Sequence, residues 1–342
     1  MVAQGVRGVT SNPTILAKAI ESEDAYDEQF GSLLGRKSIE DIYWELAIAD
    51  IRSALGLLRP LHDASQGEDG FVSLEVSPSL AHDTPGTVSL ARELHDRIGA
   101  GNLYVKVPAT KEGVGAIKEL ISQAKSINVT LIFGLERYQE VMEAYLGGLE
   151  ACAARGGKLA PIRSVASFFV SRVDTEVDRR LTEAAGGENG DPQVLAMRGK
   201  AAVAQARVAY QRFTETFSGP RWEALAKMGA NLQRPLWAST STKNPAYSDL
   251  LYVDSLIGPN TVSTMPEGTI AAFQDHGTLA RAVDADPSEA AHTMAKIAEV
   301  GVDWEAVSER LEDEGVDAFA KSFDELMGKL SDKAAALDST HR

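Results

Sequence analysis

Short runs of β-branched and aliphatic residues alternate along this chain with longer stretches in which apolar positions recur every three or four residues. The short runs predict seven strands: VRGVT (6–10), FVSLEVS (71–77), NLYVKVP (102–108), SINVTLIF (126–133), SVASFFV (164–170), RPLWAST (234–240) and NTVSTM (260–265). Each is followed by a helical stretch or a loop leading to one, the pattern of parallel strands joined by crossover helices.

The helical stretches carry their own start signals. After Ser38, apolar residues fall at Ile39, Ile42, Leu46 and Ala49, with Asp41 completing a capping-box-like start. Asp83-Thr84-Pro85 reads as another start, with proline tolerated in the first turn. Val316, Phe319, Phe323, Leu326 and Leu330 mark a long C-terminal amphipathic helix, expected to pack across the outside of the fold. A glycine-rich break, Gly186 to Gly190, separates two helical stretches, the second predicted from Pro192 to Phe217. Fraying is expected over the tail from Asp338 to Arg342.

The fold class predicted is α/β, a (β/α)8 TIM-type barrel with extra helices. It forms one domain over 1–342, within which 277–342 is a helical C-terminal part. Seven strands is one fewer than the usual eight. The chain starts almost directly on a strand, so the expected eighth unit would precede Met1.

Alternation along barrel strands sorts side chains into a helix-facing set and an inward set, and catalytic groups come from the inward set near strand C-terminal ends. On this rule Ser73 and Glu75, Lys106, Asn128 and Thr130, Ser167 and Phe169, and the pair Trp237 and Ser239 point inward. A lysine, a carboxylate, an amide and several hydroxyls are thus expected from neighbouring strands.

Composition narrows the chemistry. The net charge of -15 opposes nucleic-acid backbones and anionic membrane surfaces, so any phosphorylated ligand must meet a local basic pocket. A single cysteine, Cys152, excludes an internal disulfide, and the six histidines show no ligand spacing. No metal site is expected. The N-terminus has no apolar signal region and no long uncharged apolar run occurs, so neither export nor membrane insertion is expected.

Burying Lys106 and Glu75 without need would be costly, because ionised groups lose several kcal/mol of hydration even when paired. One reading is a buried salt bridge. The other is an amine made nucleophilic by desolvation, with Glu75 moving protons around its carbonyl adducts. In GVTSNPTI (8–15), Thr10 and Asn12 sit at a strand end before Pro13, which suits a capped turn or a hydroxyl-binding site. Arg172 and Lys243, just past the strands carrying Ser167 and Ser239, meet the description of a phosphate clamp, although either charge could face solvent. Gly113-Val114-Gly115 lacks the rest of a dinucleotide fingerprint and reads as a helix start packed close to a strand. Trp44, Trp222 and Trp304 read as helix-face packing, and Glu309 to Glu314 as a solvated face.

GVTSNPTI, VSLEVSP, LYVKVPAT, SINVTLIF, SFFVSRVD and LWASTSTKNPAYSDLLYVDSLIGPNTVSTMPEGTI occur in that order, and together they resemble transaldolases of the longer bacterial type from about Val6 to His276. The resemblance implies a cofactor-free Schiff-base transferase of the cytoplasmic pentose phosphate pathway, monomeric or homodimeric. It would move a dihydroxyacetone unit from sedoheptulose 7-phosphate or fructose 6-phosphate to glyceraldehyde 3-phosphate or erythrose 4-phosphate. It also implies roles: Lys106 as the Schiff-base lysine, Glu75 as acid/base through a bound water, and Thr130 orienting that water. Asn12 and Asn128 would hold donor hydroxyls, Ser167, Arg172 and Ser239 would bind phosphate, and Lys243 approximates a second basic position.

The family's acid/base aspartate lies at the end of the first barrel strand, ahead of the segment that matches GVTSNPTI. The resemblance therefore leads to an expectation that the first βα unit is missing, most simply through the choice of start site. If it were truly absent, carbon–carbon cleavage should be impaired. Two other readings are an aldolase releasing free dihydroxyacetone from fructose 6-phosphate, and a catalytically silent sugar-phosphate-binding barrel.

Overall fold

A computed structural model describes residues 2–12, 15 and 26–340, without the side chains of 336–340. Pro13 and Thr14 of the GVTSNPTI segment lie outside the described residues. The chain divides into two compact units, 1–107 with 315–342, and 108–314.

The first unit contains β1 (Gly8–Thr10), α1 (Asp27–Leu33), α2 (Ile39–Ala64), β2 (Phe71–Glu75), α3 (Thr84–Ile98) and β3 (Leu103–Pro108). The strands pair in parallel, with Thr10 beside Ser73 and Glu75 beside Lys106. Both predicted helix starts are present: Ser38 accepts from the Asp41 amide and Asp83 from the Gly86 amide, each satisfying an orphan donor of the first turn. Of the predicted α2 positions Ile42 and Leu46 are buried and Ile39 and Ala49 half-buried, and Ile51, Leu55 and Leu58 carry the buried face along the helix.

The second unit contains α4 (Lys111–Ser122), β4 (Ile127–Ile132), α5 (Leu135–Ala154), β5 (Ser164–Phe169), α6 (Ser171–Ala184), α7 (Pro192–Leu195), α8 (Ala201–Thr216), α9 (Gly219–Lys227), β6 (Gln233–Ala238), α10 (Leu251–Ser255), β7 (Val262–Ser263), α11 (Glu267–His276) and α12 (Pro287–Glu299). A last helix, α13 (Trp304–Thr340), runs on into residues of the first unit. It stays helical through Thr340 where fraying was expected, and 341–342 lie outside the described residues. Here too β4, β5, β6 and β7 pair in parallel and in chain order. All seven predicted strands are therefore present, and the alternation of parallel strands with helices gives the predicted (β/α) fold class.

Gly113 fits its sequence reading. A Cβ there would fall on the Pro108 carbonyl oxygen, while the Gly113 amide caps onto Thr110 Oγ1 at 3.0 Å. The motif serves the close approach of a helix start to a strand end.

Two further predictions need correction. The stretch from Pro192 to Phe217 is broken into α7 and α8, because Gly199 adopts φ +72° between them. Trp237 does not share the face of Ser167. Ser167 stands beside Leu236 and Phe168 beside Trp237, so the indole lies with Phe168, where its N–H donates to the Leu256 carbonyl at 3.0 Å. A buried indole needs such an acceptor, and that fixes the strand one residue out of the predicted frame. Ser239 escapes simple alternation, since its φ of +57° ends the strand.

Asp174 on α6 is 1% exposed, and burial pushes its carboxyl up to about 6 from 3.8, against the pull of its hydrogen-bond donors. A carboxyl that holds its proton more tightly when folded favours the fold at low pH. That contribution is lost as pH rises from 3.8 through about 6. Asp174→Asn should therefore be most destabilising near pH 4, relative to wild type, and its deficit should shrink by something on the order of 3 kcal/mol by pH 7. Urea unfolding at the two pH values measures this, and a deficit that stays constant or grows would refute the assignment.

Candidate active site

The first unit brings Lys106 and Glu75 together by strand register. Side chains of paired positions on parallel strands share a face, and here Nζ of Lys106 donates to Oε2 of Glu75 at 2.9 Å. Both are almost fully enclosed, at 5% and 6% exposure. A second Lys106 bond, at 3.3 Å, goes to the carbonyl of Ser11, whose own hydroxyl donates to the Ser73 carbonyl at 2.8 Å. The segment following β1 is thereby fastened to β2 and presents an oxygen to the ammonium.

Charge in this pocket is governed by desolvation. Burial raises the Glu75 carboxyl above the usual range, and the Lys106 ammonium opposes that shift by attraction and hydrogen bonding. The phenol of Tyr43, on α2, is raised by burial and then by the Glu75 charge. Phe319 of α13 lays its ring 5.7 Å from Lys106 Nζ. Of the predicted apolar stripe of α13, Phe319, Phe323, Leu326 and Leu330 are buried and Val316 is half-buried, but its spacing gives no hint that one ring faces the lysine.

Asn12 accepts the Ile15 amide on its Oδ1 at 2.8 Å, so its oxygen is engaged by the chain itself. Thr10 lies on the face of Ser73, and its buried hydroxyl oxygen has no hydrogen-bond partner among the described residues.

In the second unit, Ser167 donates to Asn128 Oδ1 at 2.7 Å, joining two predicted residues at 3% and 1% exposure. Thr130 is fully buried, and its Oγ1 has no hydrogen-bond partner among the described residues. Its strand carries a register irregularity between Val129 and Ile132, with Leu131 at φ +59°. Bulges and left-handed non-glycine residues of this kind gather where a side chain must be aimed.

Arg172 opens α6 and is half-buried, with its guanidinium 5.7 Å from the Phe169 ring. Burial lowers its pKa, and Glu314 opposes that shift. Ser239 reaches the same helix start, its hydroxyl 2.9 Å from that of Ser171 and its carbonyl accepting the Ser171 amide at 3.1 Å. Lys243 is exposed and donates to Ser241 Oγ at 2.9 Å, which leaves it on the surface of its loop.

Sequence reasoning passed over Ser11, Ser171, Phe319 and Tyr43. It also passed over Asp174 and Asp178, although two acids one turn apart on a helix face shared with Val173, Val177 and Leu181 were a visible signal. Among the described residues no three His, Cys, Asp or Glu side chains gather where a metal ion could be held, and no helix is long and apolar enough to cross a membrane.

A family model described as Transaldolase/Fructose-6-phosphate aldolase matches residues 1–330. A protein of Thermobifida fusca named Transaldolase is 49% identical over 339 residues, covering 98% of this chain and 91% of its own length. Another of the same name from Saccharopolyspora erythraea is 49% identical over 324 residues, covering 94% of this chain and 86% of its own. Transaldolase 1 of Streptomyces avermitilis is 48% identical over 324 residues, at 94% and 84% coverage.

Proposed function

The chain belongs to the transaldolase/fructose-6-phosphate aldolase family, and from that membership we propose that Lys106 is the Schiff-base nucleophile of a dihydroxyacetone transfer between sugar phosphates. The family and the relatives' names make the protein a transaldolase-type transferase with the TIM-type (β/α) barrel fold class. The observation that carries the residue assignment is the buried pair of Lys106 and Glu75 at 2.9 Å on adjacent parallel strands.

The chemistry follows from that pair. The neutral amine attacks C2 of a ketose phosphate, and the carbinolamine loses water to give an iminium. As the C4 hydroxyl of the donor passes its proton to a water molecule, the C3–C4 bond breaks and its electrons flow into the iminium, and the reverse transfer protonates the new alkoxide when the acceptor is attacked. An aldose phosphate departs and an enamine remains. The enamine then attacks the aldehyde carbon of an acceptor, and hydrolysis frees the lysine. Glu75, held above the usual carboxylate range by burial, is suited to accept and return the protons of carbinolamine formation and collapse.

From the same membership we further propose, residue by residue, Thr130 as orienting a water, Asn12 and Asn128 as hydroxyl-binding residues, and Ser167, Arg172 and Ser239 as phosphate-binding residues. Two features support this: the unpartnered Thr130 hydroxyl, and the Arg172 guanidinium, which no hydrogen bond occupies among the described residues. Lys243 has the weakest support, being exposed and tied to Ser241. Cytoplasmic location and a monomeric or homodimeric state belong to the same proposal.

A coupled assay with fructose 6-phosphate, run with and without erythrose 4-phosphate, tests the transferase reading. Glyceraldehyde 3-phosphate should form continuously only when the acceptor is present, and without it release should stop at about one equivalent per enzyme. Equal release without it would make the protein an aldolase.

A further inference from the structure

We propose that Asp174 and Asp178 of α6, with Tyr252 and Tyr247, form a double latch that fixes the segment after β6 so that Ser239 is held beside Arg172 to receive substrate phosphate. The proposal rests on the phosphate-binding reading of Arg172 and Ser239 given above.

Asp174 and Asp178 lie one helical turn apart, so their side chains share a face of α6. Each carboxylate uses both oxygens in the same way. Asp174 accepts the Ala202 amide on Oδ1 and the Tyr252 hydroxyl on Oδ2, both at 2.8 Å. Asp178 accepts the Gly199 amide at 2.8 Å and the Tyr247 hydroxyl at 2.6 Å. One oxygen of each acid thus anchors the chain at or just ahead of the start of α8, and the other anchors the chain well past Ser239, at Tyr247 and Tyr252.

Independent details show that the arrangement is built. The Ala202 amide belongs to the first turn of α8, where backbone donors have no helical partner, so Asp174 caps a neighbouring helix. Gly199 has φ +72°, and a Cβ there would lie 2.7 Å from the Tyr247 ring, so a larger residue would evict the tyrosine. Asp174 and Tyr252 are each 1% exposed, and the carboxyl is pushed up by burial, a cost an arbitrary surface tie would not carry.

The latched segment has need of such restraint. From Ser239 to Leu250 the chain forms neither helix nor strand, and Ser239 holds a left-handed φ of +57°. Strained conformations of this kind persist only when their surroundings over-determine them. At its near end the segment is tied by the Ser171–Ser239 hydroxyl contact and the Ser171 amide, immediately before Arg172. The tyrosines tie its far end. Losing that far anchor frees the segment to shift, and small displacements of binding groups weaken substrate positioning strongly.

The test uses the full chain with Tyr247→Phe and Tyr252→Phe, each removing one hydroxyl and keeping the ring. KM for fructose 6-phosphate should rise about tenfold with kcat within about twofold, and inhibition by inorganic phosphate should weaken in parallel. Borohydride trapping of dihydroxyacetone, which carries no phosphate, should proceed at the unaltered rate. If Tyr252→Phe fails to fold, the half-buried Tyr247 carries the test alone. A fall in melting temperature with KM and phosphate inhibition within twofold of the unaltered chain would reduce the latch to a structural tie and overturn the proposal. Absence of turnover by the unaltered chain would instead overturn the functional reading, and this proposal with it.

Discussion

Replacing Lys106 with methionine is expected to abolish transfer from fructose 6-phosphate to erythrose 4-phosphate, a loss on the order of 10⁵-fold in kcat or more. Removal of a covalent nucleophile has that scale, because no neighbouring group can substitute for the bond it forms. Methionine keeps the unbranched shape and suits the 5%-exposed site. It leaves Glu75 without its cation, however, and breaking a buried pair costs about 3–5 kcal/mol when the remaining charge is uncompensated. The loss should depend on pH with a definite sign. Burial raises the Glu75 carboxyl above its ordinary 4.5, and Lys106 is what opposes that shift. The variant's carboxyl should be raised further, so it folds best where the group is protonated and loses stability as pH rises above the ordinary value. Adding Glu75→Gln should recover most of the stability and none of the activity. Denaturation curves beside the coupled assay check both halves, and residual turnover above a hundredth of wild type would contradict the nucleophile assignment.

The second large effect concerns Glu75 alone. Glu75→Gln preserves size and an oxygen that can accept from the Lys106 ammonium, now at 2.9 Å from the carboxylate. It removes the proton transfer. A fall in kcat of about 10²–10⁴-fold is expected, the range assigned to a positioned general acid/base, with little change in KM. The limb of the pH–rate profile governed by this carboxyl should disappear. A variant within about threefold of wild-type kcat would reduce the carboxylate to a counter-ion, the salt-bridge reading that composition alone left open.

The two effects depend on a pair that was legible in the sequence for simple reasons. Alternation in FVSLEVS and NLYVKVP put three aliphatic residues of each strand on one face, so Glu75 and Lys106 had to share the other. The same rule put Asn128 and Ser167 on one face, and their side chains meet at 2.7 Å; at Thr130 the strand's irregularity between Val129 and Ile132 interrupts the alternation. It failed at RPLWAST. There the indole's need for a hydrogen-bond acceptor and the left-handed turn at Ser239 decided the frame, and neither is visible as periodicity. Helix starts at Ser38 and Asp83 were readable because capping is local. The interruption of Pro192–Phe217 was not read, since Gly199 lies in an otherwise continuous apolar pattern. The Ser11 carbonyl and the Phe319 ring at Lys106 come from tertiary placement of distant segments. No local pattern encodes a contact across that separation.

Covalent chemistry at Lys106 is tested most directly by trapping the bond it forms. Incubation with fructose 6-phosphate and sodium borohydride, followed by peptide mass spectrometry, should show a reduced dihydroxyacetone adduct on Lys106 and no label in Lys106→Met. Labelling at another lysine, or bound substrate with no adduct at all, would contradict it.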